Sequence, residues 1–291
     1  MTKRLPTQLC GQPFSIEKLK KIKQDISLDG SATRAGIARR VCEILNWKDI
    51  LGRPKVMSAR VALLRLHRDG YIELPSPRNG NGNNKPLTAQ RELPDEQPIN
   101  RPVNELSGLF LERVENRRQS ALWNGMIDQY HYLGYQRLVG AQLRYLIGYE
   151  GGLLGAMGWG ASAWTVKPRD QWIGWNHAAR ERNLGKVLNN TRFLVLPWVR
   201  VKNLASKVLA MSAHRVAEDY ERCYGQPLAL LETFVETGRF RGTCYRAANW
   251  QHVGRTRGRG KCDRHNRWAL PIKDIYVYPL RSDFRRALEA Q

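Results

Sequence analysis

Acidic residues are scarce in this chain. Asp and Glu number 26 against 48 Lys plus Arg, a formal net charge of +22 over 291 residues. A surplus of that size excludes a cationic partner surface and argues for a polyanion. Cysteine is scarce as well. The five residues are dispersed and odd in number, which excludes a disulfide framework and fits reduced thiols. No apolar run approaches the length of a membrane span, and the opening MTKRLPTQLCGQ carries no apolar signal-peptide core. A cytoplasmic location with no membrane partner is expected. Length is what the chain has in plenty, enough for two domains with separate cores.

Residues 13 to 75 carry helical periodicity. Phe14, Leu19, Ile22 and Ile26 mark one face of a first helix. A second spans about Ser31 to Trp47, with Ile37, Val41, Ile44 and Leu45 inward and Arg34, Arg39 and Arg40 outward. After Gly52-Arg53-Pro54 and Lys55, a third runs from Val56 to His67 and carries Ser58, Arg60 and Arg65. Asp69-Gly70 then turns into YIELP, which reads as a short apolar strand. Helices, a Gly/Pro turn, a third helix and a β segment make a winged helix-turn-helix pattern. Lys3 to Glu73 holds 15 Lys or Arg and 7 Asp or Glu. Residues 1–75 are therefore expected to bind DNA, with Lys55 and Arg60 projecting from the recognition helix. The bland alternative is a protein-interaction subdomain with a solvated basic face. Residues 76–104, rich in Pro, Gly and Asn and nearly empty of large apolar side chains, read as a linker.

Residues 105–291 form the second predicted domain. A helix is expected from about Glu105 to Tyr130, leading into Tyr130-His131-Tyr132-Leu133-Gly134. Two apolar runs, Leu143 to Tyr149 and Leu153 to Trp159, flank Glu150-Gly151-Gly152 as a hairpin. Trp164, Trp172 and Trp175 then cluster beside Arg180 and Arg182. Next comes an apolar run from Phe193 to Val199, a helix-period segment from Ser206 to Tyr224 closed by Gly225, and a second apolar run from Leu228 to Val235. Strand, helix and strand in short succession imply neighbouring strands and a mixed or parallel sheet. A short helix, Thr243 to Asn249, and a short strand, His252 to Thr256, follow. The fold class expected is α+β.

That order resembles the cofactor-binding half of the GCN5-related N-acetyltransferase fold. The family places a Gln/Arg-x-x-Gly-x-Gly/Ala turn between its central strand and long helix, where backbone N–H groups face a pyrophosphate. Arg200, Asn203 and Ala205 occupy the matching positions, with Asn203 in place of the glycine. Tyr245, ahead of Asn249-Trp250, matches the family's later tyrosine. Across nearly the whole chain, HYLG, WIGW, NNTRFLVLPWV, NLAS, LLETFV, RFRGTCYRAANW, VGRTRGRGK and YVYPL resemble the family of the Druantia anti-phage protein DruA. The resemblance implies a link to phage defence or mobile elements, with other defence or transposition proteins as partners. It implies no particular chemistry.

Three constellations could carry function. Arg239 to Arg267 holds nine cations against Asp263 alone, among them Arg239, Arg241, Arg246, Arg255, Arg257, Arg259 and Lys261, with Trp250, His252 and Trp268 near enough to stack on bases. Glu232 in the apolar strand LLETFV is costly to bury unless paired or functional. It could act as general base or metal ligand with His131, three residues after Asp128, and with Tyr245 as proton donor. Its bland reading is an ion pair with an arginine of residues 239–246. Cys262 and His265 have the ligand-like spacing C-x-x-H, but Cys244 and His252 are irregular, so no metal site is assigned; zinc there and a divalent metal at Glu232 stay open. The turn holding Arg200, Lys202, Asn203 and Ser206 is expected to bind an anion, a DNA phosphate in preference to the pyrophosphate of acetyl-CoA. Two functions remain: an enzyme that cleaves or modifies DNA, and a non-catalytic DNA-binding subunit that recruits a helicase, nuclease or transposase. Convergence of Glu232, His131 and Tyr245 on one open pocket would favour the enzyme. A Glu232 sealed by arginine would favour the binding subunit.

Overall fold

A short hairpin opens the chain: β1 (Gln8–Leu9) pairs antiparallel with β2 (Gln12–Pro13). The computed structural model describes residues 6–28, 33–49, 52–77, 93–138, 140–258 and 270–289. It divides into two units, residues 1–88 and 89–291.

In the first unit, α1 (Ile16–Leu28), α2 (Arg34–Ile44) and α3 (Val56–Arg68) enclose a core of Phe14, Ile22, Ile37, Val41, Leu63 and Leu66. Thr33 starts α2 by accepting the Gly36 N–H on its hydroxyl, a satisfied N-cap. Arg40 does not face free solvent, because its Nε donates to Asp25 at 2.9 Å and ties α2 to α1. Ile44, expected inward, is exposed, and Ala38 and Cys42 fill the core instead. The strand expected at YIELP is also corrected. Among the described residues Tyr71 to Leu74 joins no strand: the Tyr71 N–H donates to the Leu66 carbonyl at 2.8 Å and the Leu74 N–H to His67, while Ile72 and Leu74 pack inward onto the helices. Apolar alternation there reports burial against helices, and the β pairing lies ahead of α1.

The second unit begins inside the stretch read as a linker. Leu93, Ile99 and Val103 pack on its core, and Ile99 bridges Val199 in parallel while its carbonyl accepts the Arg200 N–H at 2.8 Å. The Pro and Asn content of this segment suits an irregular strap, and its few apolar residues are the ones buried. The helix expected from Glu105 starts later. A strand, β3 (Phe110–Arg113), comes first, and α4 (Arg117–Tyr130) begins where Asn116 and Gln119 form a reciprocal capping box.

Then follow β4 (Gln142–Tyr149), β5 (Gly152–Ala161), α5 (Lys167–Ile173), α6 (His177–Asn183), β6 (Val187–Val195), α7 (Leu204–Tyr224), β7 (Leu230–Glu236), α8 (Thr243–Ala247), β8 (Gln251–Arg255), β9 (Lys273–Pro279) and α9 (Phe284–Glu289). The sheet order is β3-β4-β5-β6-β7-β9-β8, with β6 and β7 parallel and every other neighbour antiparallel. The mixed α/β architecture is the one the sequence implies. β9 enters between β7 and β8, an insertion that strand-by-strand reading does not anticipate.

Alternation along the two parallel strands decides which face each residue serves. Leu188 and Leu231 lie on the face covered by α7, with Val208 and Val216. Val187 and Leu230 lie on the opposite face, with Ile173 of α5 and Leu288 of α9. One local irregularity sets up the site. Between Gly158–Arg192 and Trp159–Asn190 the β5–β6 register shifts, leaving Thr191 as an extra residue on β6. Such a bulge bends a strand. The β6–β7 pairs accordingly stop at Asn190–Thr233, although β6 continues to Val195 and β7 to Glu236. The two strands part, and a groove opens between them.

Candidate functional site

The groove has a volume of about 580 Å³. Phe193 to Val195 and Thr233 to Val235 form its walls, and Ala205 closes the end nearest the start of α7. The turn after α4, from Tyr130 to Leu133, and the segment from Phe240 to Tyr245 complete it. Arg192, Arg241 and Lys273 line it, and among the described residues no Asp or Glu does. Beyond Asn190 and Thr233 the facing edges of β6 and β7 no longer pair with each other, so they offer the groove unpaired backbone polar groups.

Tyr245 is set into this groove by Gly242. The glycine caps α8 at φ 64°, and a Cβ there would lie 2.5 Å from the Tyr276 hydroxyl, so both conformation and space require glycine. The Tyr245 hydroxyl donates to Asn190 Oδ1 at 2.8 Å and accepts from Thr233 at 3.4 Å. Burial holds this phenol well above the usual tyrosine range. It is a neutral hydroxyl bound to two groups.

His131 lines the same groove at the end of α4. Its Nδ1 accepts the Leu133 N–H at 3.2 Å, which puts the proton of the neutral ring on Nε2 and makes that atom a donor. Burial, reinforced by the Arg192 guanidinium, lowers its pKa from 6.5 to about 4. The unfolded chain therefore binds a proton that the folded ring refuses, and stability falls as pH drops from about 6.5 towards about 4. Denaturation midpoints at pH 7, 6 and 5 should decline in step, and His131→Gln should flatten that part of the profile. An unchanged profile would remove His131 from this environment. Asp128, its expected companion, does not line the groove. Its carboxylate is near the Tyr135 N–H at 3.5 Å and braces the turn.

Glu232 stands apart. Thr233 beside it faces Tyr245, so alternation sends Glu232 through to the opposite face of the sheet. There it is fully buried, and its Oε2 accepts from Arg169 Nη1 at 2.9 Å. Arg169, itself fully buried, also binds Asp170 at 2.7 Å and the Ala163 carbonyl, and Asp170 reaches Arg180. Burial alone would lower the Arg169 pKa, but Glu232 and Asp170 raise it and keep it charged. The expected triad does not converge: His131 and Tyr245 share a groove, and Glu232 is sealed behind it. The sealing arginine comes from α5 and not from residues 239–246. The adjacent charges of Arg169-Asp170 among Trp164, Trp172 and Trp175 were the available signal.

The expected cationic residues divide by role. Arg239 pairs with Glu236 at 3.0 Å and lies over the Tyr132 ring at 5.2 Å. Arg241 is exposed at the groove, and exposed Arg246 donates to the Arg241 carbonyl. Arg255 binds Asp274 at 2.8 Å, which also meets His252 at 3.1 Å, and Arg257 is exposed. Lys55 and Arg60 are exposed in the first unit. Arg259 and Lys261 lie outside the described residues, as do Cys262 and His265. Among the described residues no three His, Cys, Asp or Glu side chains gather to hold a metal.

At the turn before α7, Arg200 and Lys202 are exposed, and Asn203 takes the left-handed conformation at φ 64° that the position demands. Ser206 turns its hydroxyl onto the Asn203 carbonyl at 3.0 Å, so its side chain serves the helix start. Sequence reading passed over Arg192, Asn190, Tyr132, Phe240 and Lys273. They meet where β6 and β7 part beyond the bulge at Thr191.

The family model for Druantia protein DruA matches residues 65–270, more than half of the chain. The chain belongs to that family. No curated protein matches it. Among solved structures it is similar to aminoglycoside acetyltransferase AAC(6')-Ib in complex with coenzyme A, at 14% identity and TM-score 0.40, covering 61% of this chain and 98% of that one. It is also similar to the ribosomal-protein-S18-alanine N-acetyltransferase from Escherichia coli, at 9% identity and TM-score 0.36, covering 59% and 94%. A GNAT-family acetyltransferase from Desulfovibrio desulfuricans aligns at 10% identity and TM-score 0.37, covering 60% and 100%. At these scores the likeness is one of arrangement only and says nothing of activity. No helix among the described residues is long and apolar enough to cross a membrane.

Proposed function

We propose that this DruA-family chain is a DNA-binding component of a phage-defence or mobile-element system, one that holds DNA and leaves its strands intact. The observation that carries this reading is the placement of charge. Among the described residues the groove gathers Arg192, Arg241 and Lys273 without one carboxylate, while Glu232 is locked by Arg169 on the far face. A carboxylate sealed on the far face of the sheet cannot reach a ligand in the groove. In the first unit, Met57, Arg60, Val61 and Arg65 form the exposed stripe of α3, a mixed basic and apolar surface suited to a base-reading helix.

A modifying enzyme is the second reading, favoured by His131 and Tyr245 lining one groove. Incubation of the full chain with single- and double-stranded DNA, with and without divalent metal, separates the two. Bound DNA of unchanged length and mass is expected. Scission or a mass increase, lost in Tyr245→Phe, would install the second reading.

A further inference from the structure

We propose that the groove between β6 and β7 seats one unpaired nucleotide of a DNA strand, its base stacked on Phe240 and its phosphate held by Arg241 and Lys273. The proposal rests on the DNA-binding reading above and specifies the form of DNA that it requires.

Three rings lead outward along the rim. His131 stacks on Tyr132 with centroids 4.9 Å apart, and Tyr132 meets Phe240 at 5.4 Å. Arg239 lies over Tyr132 at 5.2 Å, and Phe240 is the more exposed ring, 48% against 37% for Tyr132. An exposed phenyl ring beside a cationic groove is the arrangement that holds a base by its π face, a grip open to any base once it is unstacked. A paired, stacked duplex buries the face this ring would use.

The groove's chemistry matches the same occupant. About 580 Å³ is the size of a small-molecule site, room for a nucleotide and not for a double helix. Among the described residues its lining has Arg192, Arg241 and Lys273 and no carboxylate, which suits a phosphodiester. Nε2 of His131 is a donor, and the parted edges of β6 and β7 add backbone donors and acceptors for the polar edge of a base. Tyr245, Asn190 and Thr233 bond one another at the groove wall, which fixes its shape.

The test uses the full chain, a single-stranded oligonucleotide carrying one 2-aminopurine, and the matched duplex. Single strands should bind about tenfold more tightly than duplex, with a change in 2-aminopurine emission on binding. Phe240→Ala should lose about tenfold for single strands and leave duplex affinity alone, and Phe240→Trp should retain the wild-type value. Because Phe240 is exposed, neither change threatens the fold. If both DNA forms bind alike and Phe240→Ala alters neither, DNA binding stands and the nucleotide seat is overturned. If neither form binds at low salt, the DNA-binding reading itself fails. A free deoxynucleotide or coenzyme A that binds as tightly as the oligonucleotide would assign the groove to a soluble ligand and overturn the strand assignment.

Discussion

Arg169→Met is expected to destabilise the second unit by about 3–5 kcal/mol, the cost of leaving a buried carboxylate without its partner. Glu232 is fully buried and, among the described residues, its Oε1 has no hydrogen-bond partner, so no second described group compensates the charge. Asp170 would keep Arg180, and the loss should therefore centre on Glu232. Glu232→Gln should cost less, about 1–3 kcal/mol, since the amide oxygen can still accept from Arg169. Adding Glu232→Gln to Arg169→Met should recover part of the loss, because the uncompensated charge is gone. Urea unfolding of the single and double variants measures all three. An Arg169→Met protein within about 1 kcal/mol of wild type would show that the pair does not hold this face together. A Glu232→Gln protein of unchanged stability that lost a DNA-directed activity would return Glu232 to a catalytic role.

DNA affinity is expected to fall steeply with salt. If roughly six phosphates are neutralised, log affinity should decline against log salt with a slope near −5, about a 10³-fold loss between 50 and 200 mM. The charge of +22 motivates the prediction, and the exposed cations Arg241, Arg246 and Arg257 give it a surface. Reversing Arg257 and Arg259 should weaken binding to every sequence alike and make the slope shallower, because backbone contacts carry no sequence information. Changing Lys55 or Arg60 should instead alter discrimination among sequences, since Arg60 stands on α3 and Lys55 caps its start. A salt-independent affinity would sink the electrostatic account. Equal effects of the two groups on discrimination would remove the distinct role given to the first unit.

Much of the second unit was legible because local chemistry dictates it. Glu150-Gly151-Gly152 between apolar runs produced the β4–β5 hairpin, and Gly225 closed α7 in the left-handed conformation. Asn203 was readable as a left-handed residue in place of glycine. β3 hid inside an expected helix, since FLER is too short to show a period and only the capping box at Asn116 marks where α4 starts. Residues 93–104 looked like a linker by composition. Their burial depends on a surface built by residues a hundred positions later, of which the segment itself carries no trace.

The sequence by itself determined the basic balance, the helices of the first unit, the strand–helix–strand order and the turn at Asn203 that starts α7. These follow from charge and from periodicities that act within a few residues. Only the tertiary structure decided the site. Glu232 and Thr233 are neighbours in sequence, yet alternation puts one in a sealed ion pair with Arg169 and the other against Tyr245 in the open groove. One extra residue at Thr191 bends β6 away from β7 and brings Arg192, Arg241 and Lys273 around the gap. Which face a strand residue serves is fixed by what packs on each side of the sheet, and those partners come from segments far apart in the chain.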